Sequence, residues 1–400
     1  MKVLIISASW KSGGGADVIA SEIYDAVTNA GHTCLFAYAR GNIPSEVNSY
    51  KIGTMFDVYM HALFARIFDN AGFMSTRATN ALITKIKDFK PDVISIQNPL
   101  GYVLDIERLL NFIRDSRIPT FWTLHDCWAM TGHCITGLCE RWHFGCGDCP
   151  RKREYPTSWI FDRSDKNYQR KKKMFADIGN LHFITPSQWL ANLVKQSYLK
   201  NSSVVVIPNG IDLKVFFPTE SDLREKYHLQ GKVILLAVAN VWTEYKGKKY
   251  FYKLTEIFDE KFSFVMIGKN NDDELKNNRR IIHIEHTVDR QELVKWYSVA
   301  DVFVNPTMGD NFPTVNIEAL ACGTPVVTFD TGGSAESVGD CGEIVTAGDA
   351  MALAKGVRKC INRQISAEEC KMRAGQYDKR LRFRDYIAYY KLIYSNLIDR

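Results

Sequence analysis

The stretch Gly309–Gly323, with the sequence GDNFPTVNIEALACG, lies between two short apolar runs, Val302–Val304 and Val326–Phe329. Proline near the start of this stretch and glycine at its end are typical of the two ends of a helix. Its middle is apolar on nearly every side, as in a helix that is buried inside a protein. A strand, a buried helix and a second strand in this order indicate a parallel sheet covered by helices.

The same alternation of strand and helix runs along the whole chain. The other apolar runs that we predict as strands are Val3–Ser7, Thr33–Ala37, Val93–Ile96, Pro119–Leu124, His182–Thr185, Val204–Ile207, Val233–Ala239, Phe262–Ile267 and Ile281–Ile284. The turn residues Pro208–Asp212 and the polar stretch 218–231 divide these strands into two groups. The pattern therefore predicts an α/β protein with two doubly wound domains.

Length and composition agree with two globular domains. The chain has 400 residues, of which 46% are hydrophobic and 24% are charged, and its formal net charge is +6. A mildly basic protein suits an anionic small molecule, a membrane surface or nucleic acid. No apolar run is long enough to span a bilayer, and the N-terminus lacks the features of a signal peptide, so we expect a cytoplasmic protein.

A glycine-rich loop, Ser12–Ala16, follows the first predicted strand and opens a predicted helix over Ala16–Asn29. Gly14 and Gly15 would let backbone amides approach an anion at the helix N-terminus. Many strand-to-helix turns carry glycines and bind nothing, so both interpretations stay open. The spacing does not match the dinucleotide-binding pattern G-x-G-x-x-G.

A diphosphate site is predicted in the second half of the chain. Lys246 follows the first strand of that half, and the predicted helix after Pro313 follows another strand. Both therefore lie at the strand ends where open α/β sheets bind ligands. An ammonium group together with the backbone amides of Phe312–Val315 would hold a diphosphate. The alternative is that Lys246 is an ordinary solvated lysine.

Two carboxylates accompany this predicted site. Glu318 lies four residues after Thr314, so the two share a helix face, and its carboxylate could accept both hydroxyls of a ribose. Asp310 would reach the far side of the diphosphate, where a sugar is attached. The alternative makes Asp310 or Asn311 a helix cap and Glu318 a structural residue.

The sequence DNFPTVNIEALACGTPVV resembles the E-x7-E signature of retaining glycosyltransferases of family 4, which have the GT-B fold. The resemblance extends to further motifs, which are Gly13–Ala16, Thr123–Asp126, Pro186-Ser187, Pro208–Asp212, Lys246-Gly247 and Gly332-Gly333. It implies two Rossmann-like domains with a deep cleft between them. The expected domains are residues 1–208, residues 209–376, and a C-terminal helix over 377–400 that crosses back to the first domain.

The resemblance also implies an activity, which is the transfer of a sugar from a UDP- or GDP-sugar with retention of configuration. Similarity to bacterial exopolysaccharide, capsule and colanic-acid-type transferases implies a glycan or lipid-linked acceptor and a peripheral contact with the inner face of the cell membrane. A nucleotide-sugar epimerase or a phosphorylase is the alternative on the same fold. The chain has no D-x-D sequence, so we expect no catalytic metal ion.

The family's functional positions can be carried over to this chain as expectations. Glu318 would bind the ribose, Asp310 the donor sugar and Lys246 the diphosphate, whereas His125 would lie near the reacting sugar. Asp310 is one methylene shorter than the glutamate that is commoner there. The remaining donor-binding positions that the resemblance implies are Gly14, Gly15, Asn240, the loop His286–Val288, Asn311, Phe312, Pro313, Thr314 and Val315.

The segment Ala239–Trp242 departs from the family pattern, because an arginine that usually binds the diphosphate is absent there. Asn240, backbone amides or Lys248 would have to replace it. The expected chemistry is unchanged. Lys246 and the helix N-terminus would stabilise the departing diphosphate, and no protein nucleophile is evident.

Four cysteines, Cys134, Cys139, Cys146 and Cys149, interrupt the strand–helix alternation within residues 127–149. Their spacing is C-x4-C-x6-C-x2-C, and a C-x2-C pair can hold a tetrahedral zinc ion. We therefore expect a structural zinc, with reduced thiols or disulfides as the alternatives. A nucleic-acid-binding function with a structural zinc would not explain the two α/β domains or Glu318, so no nucleic-acid partner is expected.

Two other features have an ordinary and a functional interpretation. Phe56–Met74 is rich in aromatic residues, as in a core helix or in a cover for an apolar acceptor or membrane. The basic runs Arg151–Arg153 and Arg170–Lys173 are typical of a solvated helix face. They could also contact a lipid diphosphate or an anionic membrane.

Overall fold

The computed structural model describes residues 1–11, 14–270 and 272–398, so Ser12 and Gly13 of the glycine-rich loop lie outside the described residues. The chain divides into two compact units. Unit 1 is residues 1–208 with those from 382 onward, and unit 2 is residues 209–381. The second boundary falls after residue 381 and not after residue 376.

Unit 1 contains a seven-stranded sheet whose strands all pair in parallel, in the order β3-β2-β1-β4-β5-β6-β7. Its strands are β1 Lys2–Ser7, β2 Thr33–Tyr38, β3 Ser49–Lys51, β4 Val93–Asn98, β5 Thr120–Thr123, β6 Leu181–Thr185 and β7 Ser203–Val206. Its helices are α1 Gly15–Asn29, α2 Met55–Phe68, α3 Thr76–Phe89, α4 Ile106–Ser116, α5 Ser164–Met174 and α6 Gln188–Gln196, with a short 3-10 helix over Glu140–Phe144.

Strand β1 shows why these sequences form a covered parallel sheet. Its residues Val3, Leu4, Ile5 and Ile6 are all fully buried. Successive side chains point to opposite faces, and here they enter two different hydrophobic clusters, with Leu4 and Ile6 in one and Val3 and Ile5 in the other. A continuous apolar run is therefore required, because helices cover both faces of the sheet.

Unit 2 contains a six-stranded parallel sheet in the order β10-β9-β8-β11-β12-β13. Its strands are β8 Val233–Val241, β9 Phe262–Lys269, β10 Ile281–Ile284, β11 Val302–Asn305, β12 Val326–Phe329 and β13 Gly342–Val345. Its helices are α7 Leu223–Lys226, α8 Lys248–Ile257, α9 Asp273–Asn277, α10 Arg290–Val299, α11 Thr314–Ala321, α12 Ser334–Val338, α13 Ala350–Arg363 and α14 Ala367–Gly375. The prediction of an α/β fold with two parallel sheets is confirmed.

The last helix, α15 Lys379–Ile398, begins in unit 2 and continues into unit 1. Phe383, Tyr386 and Tyr390 are buried in the same cluster of unit 1 as Phe121. The ring centroids of Tyr390 and Phe121 are 4.6 Å apart. The hydroxyl of Tyr390 lies 2.8 Å from the hydroxyl of Ser95 in β4. The C-terminal segment is therefore part of the core of unit 1.

Candidate active site

Lys246 and Asp310 are in direct contact in unit 2. Lys246 lies in the loop after β8, and Asp310 lies in the loop after β11; these two strands are neighbours in the sheet. A hydrogen bond of 2.9 Å from the Met308 amide to the Tyr245 carbonyl joins the two loops. The Lys246 Nζ lies 2.8 Å from the Asp310 Oδ2, and both side chains are partly exposed.

Glycines allow the backbone to close tightly around this pair. Gly247 has φ +77°, and a Cβ atom there would lie 1.8 Å from the carbonyl oxygen of Pro306. Gly332 has φ +59°, and its Cβ would lie 2.0 Å from the carbonyl oxygen of Asp310. The Gly333 amide donates to that same oxygen at 2.8 Å. Only glycine fits where the loops approach so closely.

Helix α11 begins next to this pair. Pro313 is its N-cap residue, and the Pro313 side chain makes no capping hydrogen bond. The Asp310 Oδ1 accepts a hydrogen bond of 3.3 Å from the Phe312 amide, so Asp310 supports the entry loop and is not the cap. The first amides of a helix lack partners within the helix and favour an anion. Ile317 and Leu320 are fully buried and fix α11 in the core.

Glu318 has a protein partner that the sequence did not reveal. The Tyr297 hydroxyl on α10 donates a hydrogen bond of 3.0 Å to the Glu318 Oε2. Burial raises the pKa of Glu318, and hydrogen bonds from Tyr297 and Thr314 oppose that rise. The bond to Thr314 places both residues on one face of α11, as predicted. A bound ribose is therefore not needed to account for the carboxylate, because Tyr297 already stabilises it.

Lys248 is engaged away from Asp310. Its Nζ lies 2.6 Å from the Asp272 Oδ2 and 3.4 Å from the Glu244 Oε1. The hydrogen bond to Asp272 raises the pKa of Lys248. Asn240 is exposed near the end of β8. Lys248 and Asn240 are the candidates for the role of the absent arginine. Lys248 could bind a diphosphate only after breaking its contacts with two carboxylates.

The loop after β10 holds the predicted base-binding residues. The Val288 side chain is 92% exposed, and its amide donates a hydrogen bond of 2.7 Å to the Glu292 Oε2. The His286 Nε2 lies 3.7 Å from the Glu285 Oε1. A nucleotide base that used the Val288 amide would have to displace Glu292.

His125 belongs to unit 1, where it follows β5. Its Nε2 lies 3.1 Å from the Gln97 Oε1, and the Gln97 amide donates to the hydroxyls of Ser95 and Thr123 at 2.9 Å each. Burial lowers the pKa of His125 to about 4. The imidazole is therefore neutral near pH 7, and it can exchange hydrogen bonds without carrying charge.

Asp126, the neighbour of His125, should make stability depend on pH. Burial raises its pKa from 3.8 to about 6, while the Trp128 amide donates to its Oδ1 at 2.8 Å. Lys171, Tyr155 and Cys127 are the titratable groups around it. A folded-state pKa above the unfolded value means that stability is lost as pH rises from about 4 to about 6.

We expect Asp126→Asn to escape that loss. The difference in free energy of unfolding between the variant and the wild type should rise across this pH window by up to about 3 kcal/mol, and it should stay constant above the window. Urea unfolding at several pH values measures this difference. Asp165→Asn, at an exposed position, is the matched control. A difference between Asp126→Asn and the wild type that does not vary with pH would contradict the prediction.

The glycine-rich loop has an acidic residue at the helix that it opens. Gly14 is the N-cap of α1 with φ +130°, and a Cβ at Gly14 or Gly15 would meet no other atom within 4 Å. Asp17, in the first turn, is fully buried and accepts hydrogen bonds from Ser7 and Ser9. A carboxylate thus already lies at this helix end. The role of Gly14 and Gly15 in donor binding stays a prediction.

The four clustered cysteines carry no disulfide. The Cys146 Sγ accepts a hydrogen bond of 3.1 Å from the Gly132 amide. Burial raises the pKa of Cys146 to about 11 and that of Cys149 to about 12. Among residues 1–11, 14–270 and 272–398, no three His, Cys, Asp or Glu side chains are arranged to hold a metal ion. The structural zinc therefore stays a prediction.

Lys171 differs from the rest of the basic run 170–173, because it is fully buried. Its Nζ donates to the carbonyls of Trp128 and Thr131 at 2.9 Å each and lies 3.6 Å from the centroid of the Trp128 ring. Burial lowers the pKa of Lys171 to about 7. The Lys171 side chain therefore fixes the start of the cysteine-containing segment. The sequence does not predict this role, because Lys171 lies in a run of charged residues.

Comparison with known proteins now identifies the class. Residues 13–215 match the family model "Glycosyltransferase Family 4", and residues 232–363 match "Glycosyl transferases group 1". The first match spans just over half of the chain. The chain therefore belongs to glycosyltransferase family 4, and it is a transferase enzyme.

Two curated relatives illustrate the family. A protein of Escherichia coli (strain K12) that is named as a colanic acid biosynthesis glycosyl transferase, WcaC, is 26% identical over 339 residues, which cover 78% of this chain and 80% of the relative. A Campylobacter jejuni enzyme, named N,N'-diacetylbacillosaminyl-diphospho-undecaprenol alpha-1,3-N-acetylgalactosaminyltransferase, is 26% identical over 234 residues. That match covers 54% of this chain and 61% of the relative.

Solved structures share the fold. Sucrose-phosphate synthase of Thermosynechococcus elongatus aligns with a TM-score of 0.74 at 16% identity and covers 99% of both chains. HepE of Anabaena, solved in complex with UDP, aligns with a TM-score of 0.69 at 16% identity over 97% of this chain and 99% of its own. The GT-B fold is thus confirmed.

Proposed function

We propose that this enzyme transfers a sugar, with retention of configuration, from a nucleotide diphosphate sugar to a hydroxyl of a glycan or lipid-linked oligosaccharide during bacterial surface polysaccharide synthesis. The observation that carries the proposal is the contact between Lys246 and Asp310 beside the N-terminus of α11. A cation, a set of helix amides and two carboxylates within one strand-end region of unit 2 suit a sugar diphosphate. The reaction would take place in the cytoplasm, where we expect the donor.

In this proposal, the donor enters between Lys246 and the start of α11. The Lys246 ammonium group exchanges its contact with Asp310 for one with the diphosphate. The backbone amides of Thr314 and Val315 donate hydrogen bonds to a phosphate oxygen. Asp310, released from the lysine, accepts a hydrogen bond from a sugar hydroxyl. Glu318 keeps Tyr297 on its Oε2 and offers its remaining oxygen to the ribose.

The transfer step follows from the charges. The bond between the anomeric carbon and the diphosphate oxygen breaks, and the electron pair leaves with the diphosphate. Lys246 and the α11 amides stabilise that developing negative charge. The acceptor hydroxyl bonds to the anomeric carbon on the same face and gives its proton to the departing phosphate oxygen. His125, neutral near pH 7, would position a sugar hydroxyl and would not act as an acid.

The relatives support the choice of substrates. The Campylobacter enzyme is named for an acceptor that carries a diphospho-undecaprenol lipid. HepE of Anabaena has been solved with UDP and with UDP-glucose. A uridine nucleotide and a lipid-linked acceptor are therefore the first candidates for this chain.

A thermal-shift screen with UDP, GDP, ADP and their sugars tests the proposal. We expect one nucleotide series to raise Tm in the wild type, because a ligand that binds only the folded state stabilises it. The shift should shrink in Glu318→Ala and persist in Lys249→Ala, whose lysine is exposed on α8. No shift with any of these compounds would overturn the donor class. Interconversion of a nucleotide sugar without an acceptor would instead indicate an epimerase.

The zinc hypothesis has its own measurement. If Cys134, Cys139, Cys146 and Cys149 hold a structural zinc, elemental analysis of the purified protein should return about one zinc per chain, as in four-cysteine sites. Cys146→Ser should lose the metal, whereas Cys360→Ser, at a buried cysteine of α13, should keep it. A zinc content far below one per chain in the wild type would exclude the site and leave four reduced thiols.

A further inference from the structure

Four side chains that can form hydrogen bonds are buried together in unit 1. They are Ser95 and Gln97 on β4, Thr123 at the end of β5 and Tyr390 on α15. Gln97 is 1% exposed, and the other three are fully buried. Burying a polar group costs free energy unless the group is hydrogen-bonded. Each of the four side chains therefore needs a partner within unit 1.

Gln97 lies at the centre of this group. Because successive side chains of a strand point to opposite faces, Ser95 and Gln97 share one face of β4, and β5 is a neighbouring strand. The Gln97 amide nitrogen donates to the hydroxyls of Ser95 and Thr123 at 2.9 Å each. Both hydrogens of this nitrogen are thus used. The carbonyl oxygen of the same amide points away from the two hydroxyls.

Helix α15 holds the far side of the group. It has 20 residues, and no helix in the described part of the chain, α15 included, is long and apolar enough to cross a bilayer. The Tyr390 hydroxyl lies 2.8 Å from the Ser95 hydroxyl. Ser95 is therefore held from two sides, by Gln97 and by Tyr390.

The Gln97 carbonyl oxygen meets His125. The Gln97 Oε1 lies 3.1 Å from the His125 Nε2. A carbonyl oxygen only accepts hydrogen bonds, so the ring nitrogen that faces it has to carry a hydrogen. A neutral imidazole has one ring hydrogen, and its other nitrogen, Nδ1, then has a lone pair. This arrangement selects one of the two neutral tautomers of His125.

The contact between Gln97 and His125 lies at an edge of the sheet. Both residues line a small cavity together with Leu124, Asp126 and Trp128. The cavity is at the C-terminal ends of β4 and β5, and open α/β sheets bind their ligands at this edge. Gln97 therefore connects the buried group to a histidine at the ligand-binding edge of unit 1.

We propose that Gln97 is a positioning residue that holds His125 in the tautomer with its hydrogen on Nε2. The His125 ring then accepts a hydrogen bond from a sugar hydroxyl through Nδ1, and it cannot donate one from that nitrogen. Gln97 acts on the sugar only through His125. The importance of this tautomer for the transfer rests on the proposed function, whereas the tautomer itself is a property of unit 1 alone.

Nuclear magnetic resonance of the full chain, prepared with isotopically labelled histidine and free of nucleotide, measures the tautomer. Because the chain has nine histidines, the signals of His125 are identified by their loss in His125→Asn. We expect the wild type to carry the ring hydrogen on Nε2, in slow exchange with water because Gln97 accepts it. A ring hydrogen on Nδ1 would overturn the proposal, since the Gln97 amide would then be turned over and would donate to His125.

Gln97→Met removes the acceptor and keeps an unbranched side chain of similar size. We expect the Nε2 hydrogen of His125 to exchange rapidly with water in this variant, so that its signal is lost. Gln97→Glu retains an oxygen at this position and should retain the signal. Gln169→Met, at an exposed position of α5, is the matched control and should leave the signal unchanged. A wild-type signal in Gln97→Met would show that another group holds His125.

Kinetics separate positioning from a purely structural role. With the donor identified by thermal shift, Gln97→Met should lower kcat roughly tenfold and leave the KM for the donor within about twofold of wild type, because the displaced group acts in the transition state. Gln97→Glu should recover most of this loss. A Gln97→Met protein that is folded by circular dichroism and has wild-type kcat would contradict the proposal. Failure to find any donor would contradict only the proposed function, because the tautomer is measured without nucleotide.

Discussion

Lys246→Ala should lower kcat by roughly 10²- to 10³-fold at saturating donor, which is the usual loss when a group that stabilises transition-state charge is removed. The Lys246 ammonium lies 2.8 Å from Asp310, which precedes α11, whereas Lys248 is held by Asp272 and Glu244. Lys248 is therefore not placed to replace it. Initial rates with the donor identified by thermal shift measure the effect.

The matched control for this substitution is Lys249→Ala, which removes an exposed lysine from the same helix end and should leave kcat within about twofold of wild type. Asp310→Asn adds a second comparison, because it keeps the side-chain volume while removing the negative charge that pairs with Lys246. Near-normal turnover by Lys246→Ala would show that the diphosphate binds elsewhere.

Gly247→Ala should destabilise unit 2 by about 3 kcal/mol or more, because a side chain there meets fixed backbone. The new Cβ would lie 1.8 Å from the Pro306 carbonyl oxygen, and φ +77° is unfavourable for alanine. The loop after β8 would have to move away from the loop after β11. Since that movement separates Lys246 from Asp310, activity should fall together with stability.

Thermal and urea unfolding would measure the stability loss. Gly15→Ala is the matched control, since it also lies at the start of a helix but has no other atom within 4 Å of its Cβ. Its free energy of unfolding should stay within about 1 kcal/mol of wild type. A Gly247→Ala protein with wild-type stability would mean that the two loops are not packed as closely as the structure has them.

Most of the fold could be predicted because buried parallel strands need continuous apolar runs, as in β1 and β8. Two edge strands were missed for the same physical reason. Strand β3 has only three residues, none of them fully buried, and β13 starts with Gly342 and includes the partly exposed Glu343. Without an apolar run, neither strand differs from a loop in the sequence. Helix α7, within the polar stretch 218–231, was missed because it is only four residues long.

The site was predictable to the extent that it follows strand ends. Lys246 and Asp310 could be placed in one region, since parallel strands end at one edge, but their contact depends on loop conformations that spacing does not encode. Tyr297, the partner of Glu318, lies on another helix, so the sequence around Glu318 does not predict this contact. Lys171 has the sequence environment of a solvated lysine, and only tertiary packing shows that it is buried.

Unit 1 is built from two separate parts of the sequence, and this affects how it can fold during synthesis. Tyr386 and Tyr390, which are fully buried in unit 1, are translated after all of residues 209–381. Domains generally fold in the order in which they leave the ribosome. Here, however, the first unit to emerge lacks part of its core until the second unit has been made. Unit 2, which is continuous in sequence, can thus complete its folding first, and unit 1 must wait with Phe121 and Ser95 uncovered until α15 arrives.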